Sequence, residues 1–189
     1  MLTFNNDPAL KVKLLAEGRH HLEADMLQKG TYGEGEGENF KDCSVGCYFK
    51  GNHQQSLSDF QISPRVTYFA DSMFERLPDP ANKLWHVEWV EAIPVGASEA
   101  QINLVMDRLQ LFVLKQKAEW FGTEYNKHIL IMAALFERAV NGDEPLAAEW
   151  NEAAWAAWAA REQDLVNFYQ RVRELYISEM AALTERVPA

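Results

Sequence analysis

Apolar residues recur every three or four positions along most of the chain, which is the spacing of an amphipathic helix. The pattern begins after Asp7-Pro8, a pair typical of a helix start, and Gly30 is a natural stop. The first helix is therefore predicted over about residues 8 to 29. On such a helix His21 and Asp25, four residues apart, would share one face.

The same spacing continues through the middle of the chain. It predicts a short helix from Cys43 to Lys50 and longer helices that begin at Ser63-Pro64, after Asp79-Pro80, at Ser98 and near Tyr125. Ser98 with Gln101 three residues later has the form of a capping box. In the short helix, Cys43 and Cys47 would share a face, as His21 and Asp25 would on the first helix.

The last stretch, from Pro145 to about Leu183, predicts one long helix that is rich in alanine near its start. Trp150, Trp155 and Trp158 lie in that part, where alanines allow a neighbour to approach closely. Two interpretations stay open. The tryptophans pack inside the monomer, or they form a homodimer or partner surface, where tryptophan is enriched.

No segment has the alternating pattern of a strand, so the predicted class is all-α. We expect a compact helical core domain over residues 1–118, which carries the two cysteines. Residues 119–189 are expected to form a C-terminal helical hairpin that packs on the core or extends from it.

Composition narrows the classes of function. The chain of 189 residues is 48% hydrophobic, which is enough for a packed core, and its net charge is −10. That charge argues against a protein that binds nucleic acid by neutralising phosphates, and it favours either a solvated surface or a basic partner. The sequence shows no secretory signal and no apolar run of membrane-spanning length, so we expect a cytoplasmic protein without membrane contact.

Between Thr31 and Lys41, three glycines alternate with Glu34, Glu36 and Glu38. The segment has neither a helical nor a strand period, and its glycine placement does not fit an EF-hand calcium loop. It predicts an acidic loop.

The two pairs, His21 with Asp25 and Cys43 with Cys47, suggest one of three arrangements. Together they would supply a tetrahedral zinc site, since zinc accepts thiolate, imidazole and carboxylate ligands. Alternatively, Cys43 is a nucleophile at a helix N-terminus with His21 as base and Asp25 orienting it, and Tyr32 or Gln28 donates to an oxyanion, as in a Cys/His hydrolase or transferase. The third interpretation is that both cysteines pack in the core.

Several short motifs resemble a family of uncharacterised proteins from bacteriophages and bacteria over residues 9 to about 114. The matching pieces are His21-Leu-Glu-Ala-Asp25, Gly30-Thr-Tyr32, Cys43-Ser-Val-Gly-Cys47, Met73-Phe-Glu75-Arg-Leu77 and Val90-Glu-Ala-Ile-Pro94-Val-Gly96. The double-cysteine motif is the specific part, although Asp42 stands where the family has a glycine. The resemblance implies no established activity, but it suggests an origin in a mobile element.

These observations favour a non-enzymatic acidic protein that binds a macromolecular partner. A phage-encoded inhibitor of a bacterial defence complex, similar to an anti-CRISPR protein, would occupy a basic nucleic-acid-binding surface by mimicking nucleic acid. It would act in the host cytoplasm. The expected contact residues are Glu34, Glu36, Glu38, Trp150, Trp155 and Trp158. No cofactor is expected, and zinc at His21, Asp25, Cys43 and Cys47 is the alternative.

Overall fold

The computed structural model describes residues 1–31, 33–35, 40–49, 59–120, 123–158 and 166–184. Within its helices, the side chains of residues 117–120, 123–128, 154–158, 166–168, 171 and 184 lie outside the description. The described residues form α-helices and contain no strand, so the all-α prediction is confirmed. Three isolated β-bridges join segments between the helices.

The chain begins with a short 3-10 turn at Thr3–Asn6. The helices that follow are α1 (Pro8–Glu23), α2 (Ser44–Phe49), α3 (Pro64–Arg76), α4 (Ala81–Ala92), α5 (Glu99–Trp120), α6 (Thr123–Val140), α7 (Ala147–Trp158) and α8 (Val166–Thr184).

Several predicted helix starts are confirmed by their capping bonds. Asp7 accepts from the Ala9 N–H at 2.8 Å, and Ser63 accepts from the Arg65 N–H at 3.3 Å. Ser98 and Gln101 bond reciprocally, because the Ser98 N–H donates to the Gln101 side chain and the Gln101 N–H donates to the Ser98 hydroxyl. The local sequence therefore fixes where α1, α3 and α5 begin.

The chain divides into two compact units. The first contains residues 1–102 and 166–189, and the second contains residues 103–165. This differs from the predicted boundary near residue 118, because α8 belongs with the N-terminal helices rather than with a C-terminal hairpin. The predicted single helix from 145 to 183 is described as α7 and α8, and residues 159–165 between them lie outside the description.

Helix α4 is the centre of the first unit, where it packs against α1, α3 and α8. Its segment Leu84-Trp-His-Val-Glu-Trp-Val90 buries Trp85 and Trp89 completely. The Trp85 indole N–H donates to the Ala70 carbonyl of α3 at 2.8 Å, and the Tyr176 hydroxyl of α8 donates to the Trp89 carbonyl at 3.1 Å. The polar edges of the buried aromatic rings thus join the helices around α4.

The second unit contains a helical hairpin of α6 and α7, which pack on each other. Its core contains Leu114 of α5, four side chains of α6 and Ala153 of α7. Phe136 and Trp150 pack edge to face beside that core, with ring centroids 4.6 Å apart. Helix α6 ends at Asn141-Gly142 as predicted, and Gly142 has a φ of +86°.

Candidate functional site

Helix α2 is short and all six of its residues are buried. Two glycines, one on α1 and one on α2 itself, leave the space in which α2 packs. A Cβ at Gly18 of α1 would lie 1.9 Å from the Tyr48 hydroxyl, and one at Gly46 would lie 2.1 Å from the Asp42 carboxyl group. Because no real Cβ approaches that closely, a larger residue at either site would force the Tyr48 ring or the Asp42 carboxyl group to move.

Cys43 is the N-cap of α2. The Gly46 N–H donates to the Cys43 sulfur at 3.3 Å, and the Cys47 N–H donates to the Cys43 carbonyl at 3.0 Å. The side chain is 2% exposed. Burial raises the pKa of the Cys43 thiol, and a hydrogen bond to Asp71 raises it further. At neutral pH Cys43 is therefore a protonated thiol, the opposite of an activated nucleophile.

Cys47 is also buried and used in the fold. Its thiol donates to the carbonyl of Met26 at 3.6 Å and to that of Asp42 at 3.7 Å. Burial raises the pKa of Cys47 to about 12. Neither cysteine is in a disulfide. Both thiols fit the third interpretation of the sequence, that of packed cysteines.

Asp42 places a carboxyl group in the interior next to α2, where it is 1% exposed. Its Oδ1 accepts the Cys43 N–H at 2.7 Å, whereas its Oδ2 has no hydrogen-bond partner among the described residues. Burial raises the pKa of Asp42, and the charge of Asp71 adds to the effect. A buried carboxyl group beside a second acid favours the protonated form.

His86 of α4 is completely buried beside α2. Its Nδ1 lies 3.0 Å from the Ser44 hydroxyl, and its ring stacks on Tyr48 with centroids 4.4 Å apart. The Tyr48 hydroxyl donates to the His86 carbonyl at 2.9 Å, and the ring of His21 lies 5.8 Å away. Burial, with the nearby His21, lowers the pKa of His86 to about 3, so the imidazole is neutral.

His86 was not among the candidate residues predicted from the sequence, yet it is completely buried beside α2. A signal was present, because Asn82, Trp89 and Val90 lie three or four positions from it and are also buried. A polar residue at such spacing within a tryptophan-rich helix predicts a buried, hydrogen-bonded side chain.

The four residues of the predicted zinc or catalytic set do not form one cluster. Helix α1 ends at Glu23, and Asp25 follows in a turn with a φ of +51°, so the prediction that His21 and Asp25 share a helix face is wrong. The exposed Asp25 carboxylate accepts from Lys83 at 2.7 Å and from Lys41 at 3.3 Å. Within the described ranges, no three His, Cys, Asp or Glu side chains are grouped as a metal site would require.

The predicted partner-binding residues are described only in part. Glu34 is exposed, whereas Glu36 and Glu38 lie outside the described residues, as does Tyr32. Trp150 packs on Phe136 inside the second unit, which agrees with the first of the two interpretations for that tryptophan. The side chains of Trp155 and Trp158 lie outside the description.

The cluster around α2 thus consists of enclosed polar groups that bond to one another and to the backbone. In this arrangement they hold α2 between α1, α3 and α4. Comparison with protein-family models, curated proteins and solved structures finds no match for the chain. Among the described helices, none combines the length and apolar character needed to cross a membrane.

Proposed function

We propose that the protein acts by binding a macromolecular partner, and that the acidic loop between Glu34 and Lys41 contacts a basic surface of that partner. A host protein complex whose basic surface otherwise holds nucleic acid is the class of partner, in keeping with the resemblance to phage proteins. The negative net charge of −10 supports this choice of partner.

The base of the loop is closed by backbone pairing. The Glu34 N–H donates to the Lys41 carbonyl at 2.8 Å, and the Lys41 N–H donates to the Glu34 carbonyl at 2.8 Å. Asp42, the next residue, donates its N–H to the Met26 carbonyl at 3.0 Å, which joins the loop base to the core. Fixed ends reduce the chain entropy that the loop loses when a partner binds.

The observation that carries the proposal is that the described lysines next to the loop bond to groups outside it. The Lys41 ammonium donates to the carbonyl of Asp25 at 2.6 Å and to its carboxylate at 3.3 Å. The Lys29 ammonium donates to the Leu77 carbonyl. Residues 35–40 contain two glutamates and no lysine or arginine. Among the described residues, Lys29 and Lys41 are therefore not committed to the exposed Glu34, which supports a basic partner surface as the counter-charge.

The test compares two variants with equal change in net charge. One carries Glu34→Gln, Glu36→Gln and Glu38→Gln, and the control carries Glu23→Gln, Glu99→Gln and Glu174→Gln at exposed positions on α1, α5 and α8. A partner is first identified by cross-linking, and its affinity for each variant is measured by calorimetry at low and high ionic strength.

We expect the loop variant to bind more weakly and with a smaller salt dependence than the control. Equal affinity of the two variants would show that the loop does not contribute to partner binding. Chemical conversion of the partner, lost in Cys43→Ala, would show that the protein is an enzyme instead.

A further inference from the structure

The turn between α6 and α7 presents a leucine in an unusual position. Leu146 is the N-cap of α7, because its carbonyl accepts the N–H groups of Glu149 at 3.0 Å and Trp150 at 3.2 Å. Its side chain is 70% exposed, more than any other large apolar side chain in the described part of the chain.

Neither of the usual structural roles explains this residue. The N-cap position favours serine, threonine, aspartate or asparagine, whose oxygen accepts a free N–H of the first turn, and leucine is among the poorest residues there. An apolar residue that breaks the capping rule usually gains burial in exchange, but Leu146 does not. Positions that break a local rule without a structural gain are expected to serve function.

Arg138 of α6 links the two sides of the turn. The guanidinium donates to Asp143 at 2.7 Å and to Glu149 at 2.7 Å, and both bonds raise the pKa of Arg138. Glu149 also accepts the Leu146 N–H at 2.8 Å. Leu146 is therefore presented on a preformed turn, which lowers the entropy lost on binding.

The charges beside Leu146 are negative. Asp143 and Glu144 precede it and Glu152 follows on α7, and all three are exposed. Arg138, the described cation in contact with the turn, is already paired with Asp143 and Glu149. A second copy of this acidic turn would be repelled, whereas a surface with lysine or arginine around an apolar pocket would be attracted.

We propose that the turn from Asn141 to Ala148 docks on a protein partner with an apolar pocket for Leu146 and lysine or arginine at the rim of that pocket. Leu146 is the anchor of this surface, and the exposed carboxylates of Glu144 and Glu152 set its preference for a basic rim. The surface belongs to residues 103–165 and goes beyond the proposed role of the acidic loop, which lies in the other unit.

The experiment titrates the full-length protein, labelled with ¹⁵N, with three designed helical peptides. One has a leucine face bordered by lysines, the second has glutamate in place of each lysine, and the third has serine in place of each leucine. Leu146→Ser is compared with wild type, and Leu84→Ser, which removes another exposed leucine, is the matched control. Thermal unfolding of each variant is recorded in parallel.

We expect only the leucine/lysine peptide to shift the amide signals of residues 141–149, and Leu146→Ser to weaken its binding by roughly tenfold or more. Leu84→Ser should bind as wild type does. Because serine is the better N-cap, Leu146→Ser should also unfold at the same or a higher temperature.

Three results would overturn the inference: equal binding by Leu146→Ser, signal shifts located outside the turn, or a lower unfolding temperature for Leu146→Ser. The last result would mean that the leucine stabilises the fold. The variant with Glu34, Glu36 and Glu38 replaced by glutamine should bind the peptide as tightly as wild type does. The proposal for the turn and the proposal for the acidic loop can therefore fail independently.

Discussion

The surroundings of α2 and the turn between α6 and α7 both depart from the usual distribution of side chains, in opposite directions. Around α2, the polar groups Asp42, Ser44 and His86 are enclosed, where Asp42 Oδ1 accepts the Cys43 N–H and the Ser44 hydroxyl bonds to His86 Nδ1. At the turn, Leu146 is apolar and exposed. Enclosed polar groups that bond to one another specify how helices pack, whereas an exposed apolar group on a bonded turn is available to a partner.

The largest expected effect comes from filling the space at α2. Gly46→Ala should lower the free energy of unfolding by about 2–3 kcal/mol, because its Cβ would overlap the Asp42 carboxyl group. Urea denaturation measures this change. As a control, Gly142→Asn at the turn should change stability by less than about 1 kcal/mol, since asparagine tolerates a positive φ and the space there is open. Equal effects at the two glycines would contradict the close packing assigned to α2.

The next effect is a pH dependence that comes from His86. Its pKa is about 3 in the folded protein against an ordinary 6.5, so between these values only the unfolded chain takes up the proton. Stability should therefore fall as the pH is lowered from 6.5 toward 3. Denaturant titrations at several pH values measure the slope, and His86→Gln should reduce it. A slope unchanged in His86→Gln would assign the effect to other groups.

Asp42 should make the stability depend on pH in the opposite direction to His86, and by a smaller amount. Its pKa is raised in the folded protein, so its contribution is present at low pH and is lost as the pH rises through the folded value. Asn resembles the protonated acid and retains an oxygen for the Cys43 N–H. Asp42→Asn should thus stabilise the protein at neutral pH by about 1 kcal/mol, with a smaller gain in acid. Calorimetric unfolding at two pH values measures the change in stability. A loss of stability at neutral pH would show that the charged carboxylate is needed.

The smallest effect is expected at the turn. Leu146→Ser should raise the free energy of unfolding by at most about 1 kcal/mol, because the hydroxyl supplies the N-cap acceptor that leucine lacks. Thermal unfolding measures it. A destabilised variant would make Leu146 structural and would remove the contrast between the turn and α2.

Local signals in the sequence predicted the helix starts well. The Ser98 and Gln101 capping box and the Ser63-Pro64 start both form as expected, since each depends on neighbouring residues alone. The end of α1 was predicted too late because Met26 and Leu27 continue the helical spacing. In the fold these two residues instead pair with the segment at Asp42.

The candidate site was predicted less well, because it also depends on contacts between segments that are distant in sequence. The spacing of His21 and Asp25 suggested one face of a helix, but the chain turns after Glu23 and Lys83, far away in sequence, binds Asp25. The neighbours of Cys43 in space are Asp42 and Asp71, and only the first is near in sequence. Contacts between distant segments determine this site, and the spacing of apolar residues along the chain does not predict such contacts.

We infer that the groups around α2 hold the fold together and that partners bind elsewhere. Alkylation of the native protein by iodoacetamide, followed by mass spectrometry, tests it most directly. We expect Cys43 and Cys47 to react together and only as fast as the protein unfolds, at a rate that stops rising with reagent concentration. Rapid modification of Cys43 alone, without unfolding, would contradict the claim and identify an accessible, reactive thiol.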